Sequence, residues 1–116
     1  MTPARILVMG AGSAGAENLI RSLRGADPSL VLLGCNDDRF VVRLSAADAR
    51  HVVPQPGNPR FAPALCRLIR ESRVDLVIPT IDRHVQALSD ARADFRGSVF
   101  LPAARVIALC RDKYRL

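Results

Sequence analysis

The stretch Arg5-Ile6-Leu7-Val8-Met9, closed by Gly10-Ala11-Gly12-Ser13-Ala14-Gly15, restricts most strongly what this chain can fold into. A short apolar run cut off by glycine reads as a strand buried on both faces. Beyond the glycines, Ala16, Leu19, Ile20 and Leu23 recur at i, i+3, i+4 and i+7, which gives a helix one apolar face. Strand, tight turn and helix in succession open a βαβ unit. In such a turn Gly10 permits the bend, Gly12 lets a ligand approach the backbone, and Gly15 lets the helix lie against the sheet. Ser13 is placed to cap the helix, whose amino terminus offers N–H groups and partial positive charge to an anion.

The same alternation continues to the carboxyl terminus. Gly25-Ala26-Asp27-Pro28 stops the first helix, and Leu30–Gly34 reads as a second strand with Cys35-Asn36-Asp37-Asp38 at its end. Residues 39–49 suggest a short helix carrying Phe40, Val41 and Leu44. His51-Val52-Val53 is a brief third strand. Asn58-Pro59 starts a helix with Asn58 as its cap, Phe61, Leu65, Leu68 and Ile69 on its buried face, and Arg60, Arg67 and Arg70 opposite. A strand at 74–78 precedes Thr80-Ile81-Asp82, which begins a helix with His84, Leu88, Ala91 and Phe95 on one face. Ser98–Leu101 reads as a last strand, and Pro102 opens a final helix carrying Ala103, Val106, Ile107 and Cys110. The expected fold is α/β: an open, doubly wound parallel sheet of about five strands in a Rossmann-like order 3-2-1-4-5, in one domain.

Composition narrows the function. With 4% aromatic residues and no Trp, the core of these 116 residues must be built from Val, Leu, Ile and Ala, which suits a parallel sheet. The net charge is +6, and every basic residue except Lys113 is Arg. These arginines are scattered, without a run and without interleaved aromatics, so solvated helix faces explain them better than a nucleic-acid partner. Cys35, Cys66 and Cys110 form no CxxC pair, which points to reduced thiols in a cytoplasmic protein and away from a zinc site or a disulfide framework. No apolar run approaches a membrane span.

Ligands on doubly wound sheets sit at the carboxyl ends of the strands, near the point where strand order reverses. Three segments converge there: the Gly10–Gly15 loop, Asp37-Asp38, and Thr80–Asp82. Asp37 lies 22 residues beyond Gly15, close to where an acidic residue binds the ribose of a dinucleotide. Asp37 and Asp38 are therefore ligands for a ribose or a substrate amine, or else strand-end turn residues. Thr80 and Asp82 reach the cleft or cap a helix, with the cap favoured for Asp82. His84, on an apolar face, reads as a structural histidine. Cys35 is a poor nucleophile, because the neighbouring carboxylates would raise its pKa.

Taken together, "RILVMGAGSAG", "GCNDD", "HVVPQPGNPRF", "VDLVIPTID" and the terminal Asp112-Lys113 resemble the amino-terminal, or pre-ATP-grasp, domain of ATP-grasp ligases, in particular those similar to the carbamoyl-phosphate synthase large subunit. The resemblance runs the length of the chain. It implies an ATP-dependent carboxylate–amine ligase in which residues 1–113 form the substrate-side domain and 114–116 begin an ATP-grasp domain that is missing here. Gly10, Gly12, Ser13, Gly15, Asp37, Asp38, Thr80 and Asp82 would line the side of the small-molecule substrate, and Lys113 would contact the nucleotide. ATP and Mg²⁺ would be held by the following domains. No catalytic residue, metal ligand or cofactor is then expected in this chain, which would be inactive alone. An apolar patch near its carboxyl terminus would dock the missing domains and could pair two copies as a homodimer. The pattern departs from the family at Arg83-His84-Val85, where an acidic residue is common. The rival expectation is an NAD(P)-binding domain of an oxidoreductase or regulatory module; a third is an interaction domain whose glycine loop holds nothing.

Overall fold

The structure is a computed structural model that describes residues 2–95. Strands β1 (Arg5–Met9), β2 (Val31–Asn36), β3 (Ala49–Val52) and β4 (Leu76–Ile78) form one four-stranded sheet in the order β3-β2-β1-β4. Every pairing is parallel: Leu7 lies opposite Leu33 and Val77, and Cys35 lies opposite His51. Strand order reverses between β1 and β4, as expected for the first four strands. The expected fifth strand and final helix, with Lys113 and the carboxyl-terminal patch, lie outside the described residues.

Alternation along the strands builds the two halves of the core. Ile6, Val8 and Leu32 face helix α1 (Ala14–Ala26), which buries Ala16 and Ile20 and packs Leu19 and Leu23 against them. Leu7, Met9, Leu33, Cys35 and Val77 face the other way. There they meet Phe61, Leu65 and Leu68 of α2 (Phe61–Glu71) and Leu88 of α3 (Asp82–Asp90). Helices thus cover both faces of the sheet, and β1 is buried on both, as its unbroken apolar run requires.

Helix α1 ends at Ala26 with Asp27 as its C-cap, inside the expected Gly25–Pro28 stop. Other boundaries differ from expectation. The expected helix in 39–49 is a 3-10 turn over Val41–Leu44. Its shorter period leaves Phe40 63% and Leu44 73% exposed and buries Val42 instead. Asn58 does not cap α2: the N-cap is Arg60, and Asn58 accepts the Arg60 N–H through Oδ1 (2.8 Å) and the Phe61 N–H through its carbonyl (2.9 Å). That turn precedes the helix, which starts two residues later than a cap at Asn58 would set it. The end of α2 has no glycine: Arg73 itself adopts φ +54°, while its N–H reaches the Arg70 carbonyl and the Val74 N–H reaches that of Ile69. This is the Schellman arrangement with an arginine in the left-handed position.

Candidate functional site

The glycine loop after β1 is drawn tight by the chain's own neighbours. Gly10 and Gly12 have φ of +73° and +97°, a region that favours glycine. A Cβ on Gly10 would stand 2.6 Å from Thr80 Oγ1 and 3.2 Å from His84 Cε1. A Cβ on Gly12 would overlap the Val41 carbonyl. The segment that approaches Gly12 closely is therefore the 3-10 turn and not an open ligand space. Gly15 is exposed and faces nothing within 4 Å, so it does not serve helix–sheet packing; Gly34 in β2 does something comparable, since a Cβ there would stand 2.5 Å from the Ala11 methyl under the turn. Ser13 is the N-cap of α1, but its hydroxyl donates back to the Gly10 carbonyl (2.7 Å) and closes the turn without capping a helix N–H.

Glu17, which the sequence reading passed over, completes this closure. Its carboxylate accepts the Gly12 N–H at 2.9 Å and the Ala46 N–H at 2.7 Å, tying the glycine loop to the segment before β3. Burial pushes its pKa up, but the Ala46 and Gly12 N–H groups, the Ser45 hydroxyl and the Arg21 charge outweigh that and hold it below the ordinary value. A carboxylate of this chain thus takes the loop N–H that a phosphate would seek. The one sequence signal for it is an acidic residue in the first turn of the helix.

The cleft lies beside this loop, at the carboxyl ends of β1, β2 and β3. Met9, Gly10, Asn36, Asp37, Phe61 and His84 are among its lining residues, and it is narrow, with room for about one water molecule. The two aspartates that follow β2 part company here. Asp37 lines the cleft, whereas Asp38 is exposed and turns its Oδ1 to the N–H groups of Phe40 (2.8 Å) and Val41 (3.0 Å), opening the 3-10 turn. Asn36, also unforeseen, spans the two segments. Its Nδ2 donates to the Ala11 carbonyl at 2.9 Å and its Oδ1 accepts the Asp38 N–H at 3.0 Å, so Asp37 is held between the glycine loop and the turn.

The segment after β4 closes the other side. Thr80 Oγ1 donates to the Met9 carbonyl at 2.7 Å and clasps β4 to β1 at the point where strand order reverses. Asp82 is exposed and belongs to the first turn of α3, whose N-cap is Ile81, so it is neither the expected cap nor a lining residue of the cleft. His84 is 6% exposed and lines the cleft, and among the described residues its Nδ1 has no hydrogen-bond partner. Burial lowers its pKa, Asp37 pulls it back up, and Arg83 lowers it further. Cys35 is inert, as expected, but for a different reason: burial alone pushes its thiol up to about 12.

No family model and no curated protein sequence matches the chain. Solved structures do. Glycinamide-RNase-transformylase T from Mycobacterium tuberculosis matches 96% of this chain over 32% of its own length, with a TM-score of 0.65 and 20% identity. L-amino acid ligase from Bacillus licheniformis matches 99% of this chain over 29% of its own, with a TM-score of 0.65 and 12% identity. The fold is shared with both. At these identities the likeness is one of fold, and the chain spans about a third of the length of either structure. None of the described helices is long and apolar enough to cross a membrane.

Proposed function

We propose that this chain is the amino-terminal, substrate-side domain of an ATP-dependent carboxylate–amine ligase of the ATP-grasp type. The observation that carries the reading is the fold shared, over nearly the whole chain, with about the same fraction of an L-amino acid ligase and of a transformylase. The sequence motifs at both ends of the chain support the finer likeness to the carbamoyl-phosphate synthase large subunit. In such an enzyme ATP phosphorylates a carboxylate, and an amine displaces phosphate from the acyl phosphate. ATP and Mg²⁺, held by domains beyond this one with Lys113 at the junction, supply the phosphoryl group and its charge neutralisation. The role of the present residues is to shape one wall of the substrate cleft. Gly10 lines it with Thr80 packed behind, Asn36 fixes Asp37 at its edge, and Asp37 faces the substrate.

The closed glycine loop supports this reading against the dinucleotide alternative. A pyrophosphate approaching Gly12 would have to displace the Glu17 carboxylate and the Val41 carbonyl, both of which would repel it. The test is a screen of carboxylates and amines for ADP release by the longer protein that the proposal requires. ADP should form only when a carboxylate and an amine are both present, and Asp37→Asn should raise KM for one of them. Turnover of nicotinamide in place of ADP release would overturn the proposal.

A further inference from the structure

Between β2 and β3 the chain crosses over in residues 37–48, and a parallel crossover of that length ordinarily carries an α-helix that covers the sheet. Here it carries only the four-residue 3-10 turn Val41–Leu44. Successive side chains in such a turn stand about 120° apart, so with Val42 turned in, Phe40 and Arg43 take one outward face and Leu44 the other. Arg50 and Val52 of β3 lie opposite Gly34 and Asn36, on the side of the sheet where α1 packs, yet neither joins the α1 core and both are exposed. Arg50 leans back to the turn, its Nη1 donating to the Arg43 carbonyl at 2.9 Å. Four large apolar side chains are exposed among the described residues, and three of them, Phe40, Leu44 and the 57% exposed Val52, belong to this corner.

The corner is also cationic. The Arg39 guanidinium stands 4.8 Å from the centre of the Phe40 ring. Arg39, Arg43 and Arg50 have no ion pair among the described residues, because the carboxylates nearest in sequence are taken. Asp38 accepts the N–H groups of Phe40 and Val41, and Asp48 accepts that of Leu32 (2.8 Å) and pairs with Arg24 (3.0 Å). The strand itself is open: β3 pairs with β2 on one side and with no described strand on the other. A free strand edge asks for backbone partners, which a polypeptide supplies and a lipid surface does not. Charge then selects among polypeptides. A second copy would set these arginines against the same arginines. Residues 96–116 of this chain carry Arg96, Arg105, Arg111, Lys113 and Arg115 against Asp112 alone, so they are cationic too.

We propose that this corner docks an acidic segment of another protein, extended along the edge of β3, with its apolar side chains on Phe40, Leu44 and Val52 and its carboxylates on Arg39, Arg43 and Arg50. Arginine beside an exposed aromatic ring is the pairing that protein interfaces favour. The proposal does not depend on the ligase reading.

The test uses the isotopically labelled 116-residue chain and, as the probe, a short capped peptide that alternates Glu with Leu. NMR should show saturable shifts at the amides of residues 39–44 and 50–52. The counterpart with Lys in place of Glu should produce none, and a peptide alternating Glu with Ser should bind at least about tenfold more weakly. Phe40→Ser with Leu44→Ser should weaken the Glu–Leu peptide at least about tenfold without moving Tm by more than about 4 °C, since both side chains are exposed in the free chain. Arg39→Glu with Arg43→Glu should lose the Glu–Leu peptide and gain the Lys–Leu one, a reversal that misfolding does not produce. No saturable response, equal binding of the two charge types, or an unreversed preference in the charge-swapped variant would each overturn the proposal. So would three other occupants: phosphatidylserine vesicles that broaden these amides where the peptide does not, concentration-dependent shifts there without peptide, which mark a second copy, or contacts from residues 96–116 to Phe40 and Leu44 in the free chain.

Discussion

Gly12 and Gly15 belong to one sequence motif, yet their surroundings give them opposite sensitivities. Gly12→Ala should cost at least about 2 kcal/mol, because a Cβ would overlap the Val41 carbonyl in a backbone conformation that disfavours L residues. Gly15→Ala should be neutral or stabilise by up to about 1 kcal/mol, since it fills open space inside α1 with a better helix former. Urea unfolding of the two variants checks both; equal losses would contradict the loop geometry. Glu17→Ala strands two backbone donors and should cost about 1–3 kcal/mol at neutral pH, measured the same way. His84 sets a pH dependence of its own. Its pKa in the fold lies below the ordinary imidazole value because the ring is buried. The unfolded chain therefore takes up the proton first as pH falls, and stability declines below about pH 6.5 until the folded imidazole protonates too. Thermal melts from about pH 7.5 to 5 should show this slope, and His84→Gln should flatten it.

At the scale of elements, what was legible in the sequence was what periodicity encodes. The β1 and β2 runs and the apolar faces of α1, α2 and α3 follow from buried residues repeating with the period of their element. Residues such as Ile20, Leu65 and Leu88 sit where those patterns place them. Element ends were less legible, because they depend on single hydrogen bonds and backbone angles. The Gly25–Pro28 stretch announces the end of α1, although the stop falls at Asp27 and not at the glycine, whereas the left-handed stop at Arg73 has no glycine to announce it. Arg73→Gly should therefore stabilise the fold by about 1 kcal/mol by relieving that conformation, and a lower midpoint of unfolding would contradict the Schellman assignment. The same limit applied at the candidate site. Asp37 could be singled out as a cleft residue by its place after β2. Asp38 could not be told apart from it, since only the register of the Asn36 and Asp38 hydrogen bonds turns one aspartate to the cleft and the other to the 3-10 turn. Glu17 and Asn36 were missed for a related reason: each acts on backbone groups distant in sequence.

At the scale of the whole molecule, a glycine fingerprint, a following acid and a doubly wound sheet point equally to a dinucleotide site and to a ligase domain. The difference lies in what fills the loop. Glu17, Val41 and Thr80 fill it from three separate segments of this chain, and the cleft that remains is small, apolar-walled and faced by one carboxylate. Val41 and Glu17 thus occupy the place at Gly12 that a dinucleotide's pyrophosphate would need. Calorimetric titration of the 116-residue chain with NAD⁺, NADH, NADP⁺ and NADPH tests that most directly. No saturable binding is expected below about 1 mM for any of the four; one-to-one binding in the micromolar range, on the order of −8 kcal/mol, would contradict it.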